Sequence, residues 1–391
     1  MVHAQGRIRE LDGWRGVSIL LVLAHHALGF AFPTIVGRYK LWSHLFEVAG
    51  ALGVFIFFAI SGFVITRLLI IEERDYGSIS LRGFYTRRVF RILPVFYLFI
   101  LLVCCMSRLG WTPVAPKSVL LAALFLRSQR FHGIDWFLGH SWSLSVEEQF
   151  YIVFPLFWVI SEPQRRARLL LATFAIFLIW SALVPWGIFA KTLSGSTVIG
   201  FGCVNAGALL AVCEERARGV AGKVPHWAAL LVAVLLFARP VPYSRLTESL
   251  YVLFIPFAVA LLLMHTASQK GWASSALKTG GIQWVGLISY SAYLWQQLFT
   301  APAGFYGSPK AANIFHLSLP LLFPVAAISF YCIERPCTRL GRRLSANLQP
   351  IRAEKVLVWV PSCQQKLENA GLVAPQLTEM QPVTGDKNLP I

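Results

Sequence analysis

Charge is what this chain has least of. Asp, Glu, Lys and Arg make up 14% of its 391 residues and hydrophobic residues 56%, where a soluble domain carries about 25% charged residues. Mean hydropathy is +0.62, and several apolar runs reach the roughly 20 residues that cross a bilayer. An ordinary soluble domain is excluded, and a polytopic membrane protein is expected. Acidic residues are scarcer still, 18 against 35 basic, for a net charge of +17. The basic residues stand at the ends of apolar runs, as the positive-inside rule and anionic lipid head groups require, so membrane lipids are the expected partners and nucleic acid is not. The seven cysteines are odd in number and scattered, which offers no disulfide framework. No His or Cys spacing resembles a zinc site, so no metal is expected. The first apolar run is longer than a signal-peptide core and lacks a small-residue cleavage site, and is therefore read as a retained span. No repeat period and no second soluble domain stand out.

What is present is an all-α pattern of about ten transmembrane helices, over 11–31, 46–70, 92–109, 143–161, 168–187, 198–213, 224–240, 248–266, 282–301 and 316–333. The run 118–127 is apolar but short, and reads as re-entrant or interfacial. Loops alternate in charge. The richer set includes Arg9, Arg74, Arg82, Arg165, Arg166, Arg216, Arg218, Lys270, Lys278, Arg339 and Arg343, which places it, and both termini, in the cytoplasm. Residues 1–344 form the expected membrane domain. Residues 345–391 form a polar tail containing several prolines, a composition that cannot bury a core and is expected to stay disordered.

Four stretches carry chemistry, and a fifth adds hydroxyls and aromatic rings. In LDGWRGVSILLVLAHH, Arg15 and His26 are eleven residues apart, close to three helical turns. They share a face about 16 Å apart along the axis. His25 points a quarter-turn away. An ionisable residue inside a span is a functional hypothesis by default. The competing account has Arg15 snorkelling to lipid phosphate and His26 bonded to a neighbouring helix. In HSWSLSVEEQFY, Glu147 and Glu148 fall one to two turns into a helix, with Ser143 on the face of Glu147. A carboxylate beside a histidine orients the ring and raises its basicity, as in general-base catalysis on a hydroxyl. Helix capping explains one acid there, and two acids followed by Phe150 and Tyr151 less well. In RGFYTRRVFRILP, Arg87, Arg88 and Arg91 cluster before the third span. They form either a bidentate phosphate site or simple positive-inside topology. In FIFFAISGFVIT, Ser61-Gly62 permits close helix approach or leaves room for a slender ligand. SYSAYLW, with Ser289, Tyr290 and Tyr293, adds hydroxyls and aromatic rings to the ninth span, followed by Gln296 and Gln297.

Taken together the stretches resemble the integral-membrane acyltransferase family 3, whose members acylate carbohydrates and related acceptors. The family's arginine–ten residues–histidine motif falls on Arg15 and His26. Its SGF element falls on Ser61, Gly62 and Phe63, and its RRxxRIxP element on Arg87, Arg88, Arg91 and Pro94. Its WSLxxEExFY element falls on Trp142, Ser143, Leu144, Glu147, Phe150 and Tyr151, and its SYxxYLW element on Ser289, Tyr290, Tyr293 and Trp295. IERP, Ile333 to Pro336, also matches, so the resemblance runs from about Leu11 to Leu344. Gln296 stands where many members carry a histidine, and the large extracytoplasmic hydrolase-like domain fused to some members has no counterpart in this sequence.

The resemblance implies an O-acyltransferase of the bacterial inner membrane with no bound cofactor, taking acyl-CoA, most often acetyl-CoA, as co-substrate. His26 and Glu147 would serve the reaction, while Arg15, Arg87, Arg88 and Arg91 would bind the donor or the developing charge. Ser61, Gly62, Trp142, Ser143, Tyr151, Tyr290 and Tyr293 would line the site. The acceptor would be a hydroxyl of a cell-surface or lipid-linked glycan, or of a small molecule such as a macrolide sugar. A different class, the proton-coupled secondary transporter, also places Arg, His and Glu mid-membrane but calls for broken helices in paired halves. A non-catalytic polysaccharide-export subunit would have no use for His26. Assembly into a homo-oligomer is left open.

Overall fold

In the computed structural model, residues 8–31, 40–128, 135–187, 194–238, 244–316 and 318–348 are described, and all regular structure among them is helical. Most of the tail expected over 345–391 lies outside the described residues. The helices are α1 (Arg9–Ala31), α2 (Lys40–Tyr76), α3 (Leu81–Arg108), α4 (Pro116–Ala123), α5 (Trp136–Gly139), α6 (Ser141–Ile160), α7 (Pro163–Leu183) and α8 (Gly195–Val212). They continue as α9 (Glu214–Ala221), α10 (His226–Phe237), α11 (Arg245–Ser268), α12 (Trp272–Leu277), α13 (Gly280–Leu287), α14 (Ser289–Phe299), α15 (Pro309–Phe315), α16 (Leu319–Ser329) and α17 (Arg335–Ala346).

Each of the ten expected spans has a helical counterpart, but not every one is a single straight helix. Among the described residues, six helices are long and apolar enough to cross a membrane unaided, or eight if the bent pairs α9–α10 and α15–α16/α17 each count as one crossing. The expected span 282–301 is two helices broken at Ile288. The last expected span runs from α16 through a π-helical turn, Phe330–Glu334, into α17. Hydropathy detects apolar length and is blind to such breaks. The apolar run 118–127 yields only the short α4.

Leu101, Val153, Ile160, Leu171, Ile179 and Ile328 project outward, the surface a bilayer solvates. The fold is an all-α polytopic membrane protein. Without water between helices, close backbone approach drives their packing, and two glycine contacts set it here. A Cβ at Gly62 of α2 would sit 1.9 Å from the Val204 carbonyl of α8, and one at Gly207 of α8 would sit 2.0 Å from the Ala59 carbonyl of α2. The same reciprocity joins α1 to α13, where a Cβ at Gly16 would meet Ile282 O at 2.4 Å and one at Gly286 would meet Asp12 O at 2.0 Å.

Charged side chains from loops expected on one side of the membrane meet at one end of α2. Glu72 accepts from Arg87 Nη2 of α3 at 2.6 Å and from the Ser80 backbone N–H at 3.0 Å. Glu73 takes a two-pronged bond from Arg166 of α7, at 2.5 and 3.0 Å, and Arg67 binds Glu214 of α9 at 3.0 Å. Ser80 caps α3 by accepting from Gly83 N at 3.0 Å, which fixes the phase at which the following arginines enter.

Candidate active site

One cavity of about 100 Å³, several times what one water needs, gathers most of the expected site residues. Its walls include Arg15 of α1, Ser61 of α2, Arg88 and Arg91 of α3, Ser143, Glu147, Glu148 and Tyr151 of α6, and Ser289, Tyr290 and Tyr293 of α14. Stretches separated by up to 278 positions, from Arg15 to Tyr293, thus face a single space. A wider depression of about 450 Å³ between the 107–115 turn and Gly307 is lined by no ionisable side chain and offers no comparable chemistry.

Glu147 is held by two hydroxyls. Ser61 Oγ donates to Glu147 Oε1 at 2.9 Å, the Tyr151 hydroxyl lies 2.7 Å from Ser61 Oγ, and it donates to Glu147 Oε2 at 3.3 Å. Tyr151 also presents its ring to the Arg88 guanidinium, 5.1 Å from the centroid, with Phe84 at 5.6 Å on another side. Tyr290 donates to the Ile92 carbonyl at 2.9 Å. Tyr293 pairs with Ser143 Oγ at 2.6 Å, and Ser143 in turn donates to the His140 carbonyl at 2.9 Å.

The arginines divide. Among the described residues Arg15, Arg88 and Arg91 make no ion pair, and Arg15 Nε is buried without a hydrogen-bond partner. Asp12, Glu334 and Glu147 are near enough to attract Arg15, Glu148 to attract Arg88, and Glu147 and Glu334 to attract Arg91, but none closes a contact with them. Arg87, expected with them, is placed elsewhere. It sits one residue from Arg88 on a helix, hence about 100° round the axis, and that rotation turns it to Glu72 on α2. All three are half-buried, and taking a cation part-way out of water with no carboxylate in contact is costly, so three lining one cavity form a receptor for negative charge. The break at Ile288 adds to it. The amino end of α14, which has no side-chain cap, opens at the cavity through Ser289 and Tyr290, and helix amino ends favour anions.

Helical rise gives the cavity an axis. Measured from the α2–α3 ion-pair end, Arg88 lies about 10 Å along α3, and Ser61 and Glu147 about 20 Å along their helices. Arginines therefore come first and the carboxylate deeper.

His26 lies beyond them, outside the residues that line the cavity. Its ring faces Trp136 at 5.5 Å and His25 at 4.8 Å, and His25 covers Gly50 of α2. The expected pairing of His26 with Glu147 is not what the structure shows. His26 Nδ1 meets the Val22 carbonyl at 3.1 Å, and Glu147 is engaged by Ser61 and Tyr151. The reason is register. The residue of the α6 entry that lies within electrostatic range of His26 is His140, and Glu147 is two turns, about 10 Å, further along. Carbonyl contact at Nδ1 favours the tautomer with its proton there, which leaves Nε2 as the basic nitrogen.

Two further expected liners are helix-packing residues. Gly62 faces α8, and Trp142 packs edge-on against Phe58 at 6.0 Å. Glu334, which the sequence marks only as part of IERP, belongs with the site. The π turn directs it inward, where it accepts from Ser291 Oγ at 2.8 Å. A π turn has no sequence signature, so the motif alone could have flagged it.

Comparison with known proteins gives the family. The profile described as "Acyltransferase domain" matches residues 8–334, and the chain belongs to that family. It is 26% identical over 376 residues to YrhL of Bacillus subtilis, provisionally named a peptidoglycan O-acetyltransferase, covering 86% of this chain and 56% of that one. It is 25% identical over 373 residues to the peptidoglycan O-acetyltransferase OatA of Listeria monocytogenes, covering 87% and 57%. The chain thus spans somewhat over half the length of these relatives. No solved structure matches it.

Proposed function

We propose that this protein is an O-acetyltransferase of the bacterial inner membrane that moves an acetyl group from acetyl-CoA to a glycan hydroxyl, with both termini in the cytoplasm. The observation that carries it is the cavity in which Arg15, Arg88 and Arg91, none tied to a carboxylate, stand over Glu147, Ser61 and Tyr151. A polyanionic donor supplies the counter-charge the arginines lack, and its phosphates favour bidentate guanidinium contacts. The arginines lie nearer the charged end of the bundle, so the nucleotide stays there and the thioester reaches inward along the cavity axis.

In the reaction, the acceptor oxygen attacks the thioester carbonyl carbon while His26 Nε2 takes its proton. The carbonyl oxygen becomes the oxyanion at the inner end of the cavity, while Arg15, about 16 Å from His26 along α1, stays with the donor's phosphates. Collapse re-forms the carbonyl, breaks the C–S bond and releases the coenzyme thiolate, which takes up the proton from His26. The product is an O-acetyl ester. Glu147 acts as an electrostatic and positioning residue, with Ser61 and Tyr151 fixing its two oxygens. The names of the relatives support peptidoglycan as the acceptor class.

Purified full-length protein in detergent, given acetyl-CoA labelled in the acetyl group, is expected to release free CoA and to place label on an amino-sugar oligomer. His26→Ala is expected to remove both signals while the protein still elutes as a folded species. Solute transport with no dependence on acetyl-CoA would overturn the assignment.

A further inference from the structure

Past Glu147, the structure holds a second group of polar side chains that neither the donor site nor the fold employs. Both ring nitrogens of His140, both amide atoms of Gln296, Gln297 Oε1 and Trp295 Nε1 are buried with no hydrogen-bond partner. The four residues are between 0% and 7% exposed. Buried polar atoms are almost always bonded, and so many orphans in one neighbourhood point to a ligand.

They are one neighbourhood. His140 and Trp295 both pack edge-on against Phe99, at 5.3 and 5.5 Å. His140 also faces Tyr293 at 5.6 Å, whose hydroxyl reaches back to the His140 carbonyl at 3.3 Å. Gln296 and Gln297 follow Tyr293 by three and four residues, on adjacent positions of the same α14 face. The Trp136 indole donates to the Gln297 carbonyl at 2.9 Å, and the Trp136 ring meets His26 at 5.5 Å. His26 therefore borders this group, while Tyr293 and Ser143 belong both to it and to the wall of the donor cavity.

We propose that His140, Trp295, Gln296 and Gln297 form the acceptor subsite, and that its ligand is a neutral sugar ring presenting a hydroxyl to His26; this rests on the acyl-transfer reading above. The chemistry selects the class. Carboxamides and imidazole both donate and accept, the indole donates, and none of these four groups is a fixed charge, which suits vicinal hydroxyls and an N-acetyl group rather than an ion. Phe99, Trp136 and Tyr293 provide the aromatic faces against which the C–H face of a sugar packs. Hydroxyl-reading sites of this kind discriminate strongly, because a ligand without the hydroxyl leaves buried groups unpaired.

The test is binding of methyl β-N-acetylglucosaminide to the full-length detergent-solubilised protein, read by saturation-transfer NMR, with acetyl-CoA turnover measured separately. Wild type is expected to bind the sugar. Gln296→Leu and Gln297→Leu are each expected to weaken binding at least tenfold, with thermal midpoints no lower than wild type, since each replaces an unsatisfied buried amide by an apolar side chain of similar size. His140→Phe is expected to behave alike. No sugar binding by wild type, binding unchanged in all three variants, or a loss that occurs only with a lowered midpoint would each overturn the proposal. Sugar binding without acetyl-CoA turnover would instead overturn the proposed function and leave the subsite standing. Turnover without sugar binding would do the reverse.

Discussion

Arg87 and Arg88 are neighbours in sequence and belong to different parts of the molecule. Arg87 meets Glu72 at 2.6 Å and closes the charged end of the bundle. Arg88, about 100° further round the helix, lies between the Phe84 and Tyr151 rings and faces the cavity with Arg91 and Arg15. The end of the bundle satisfies its charges internally, through Arg87–Glu72, Arg166–Glu73 and Arg67–Glu214. The cavity does not. The number of arginines is therefore a poor guide to function, whereas the number lacking a carboxylate marks the place where a ligand completes the charge balance.

The largest effect expected from breaking this arrangement is at Glu147. Glu147→Gln keeps the shape and removes the charge beneath the arginines, and acetyl transfer should fall by about 10² to 10³-fold, the range for loss of one preorganised electrostatic group. Single-turnover measurement of CoA release checks it, and a loss under threefold would remove Glu147 from the machinery. Next come Arg88→Ala and Arg91→Ala. Each removes charge-assisted hydrogen bonds of about 1.5–3 kcal/mol, so the apparent KM for acetyl-CoA should rise about ten- to a hundredfold. Arg87→Leu should leave that KM alone and instead lower unfolding stability by about 1–2 kcal/mol, because Glu72 would remain buried and unpaired. Adding Glu72→Gln should restore most of it. If Arg87→Leu raised the donor KM as Arg88→Ala does, the division between the two regions would collapse.

Most of this division was written in the sequence, and the parts that were not have identifiable causes. Composition set the class, and period 3.6 brought Arg15, Ser143, Glu147 and the arginine run to the right helices. The phase that separates Arg87 from Arg88 was equally legible, but which phase faces α2 depends on tertiary packing. The pairing expected between His26 and Glu147 depended on relative depth, and depth depends on where α6 begins. The extra turn contributed by Trp136–His140 shifts that register. The break at Ile288 and the π turn at Phe330–Glu334 decide how Ser289 and Glu334 reach the site, and neither carries a proline or glycine signal at the break itself. The orphaned amides of α14 emerge only from packing, since a glutamine in an apolar helix looks the same whether or not it finds a partner.

The smallest expected effect is at Arg165 and Arg166, a second adjacent pair. Both bind a carboxylate, so pairing alone cannot distinguish them. Arg165 meets Glu162 at 3.0 Å with both side chains about two-thirds exposed, at 65% and 64%. Arg166 is 9% exposed, holds both oxygens of Glu73 and stacks 4.6 Å over Trp158. In water the Coulomb gain is offset by side-chain entropy and screening, and such pairs contribute about 0–1 kcal/mol. Glu162→Gln should therefore shift the unfolding midpoint by no more than a degree or so, about the change that ~0.3 kcal/mol produces in a protein of this size. Arg166→Ala, which strips Glu73 of its partner and uncovers Trp158, should lower it several-fold further, and 0.5 M salt should erase the first difference but not the second. Equal shifts would mean that proximity to a carboxylate, rather than burial with one, sets the energy of this end of the bundle. The cavity arginines would then lose their distinction too, because it rests on partial burial with no carboxylate in contact.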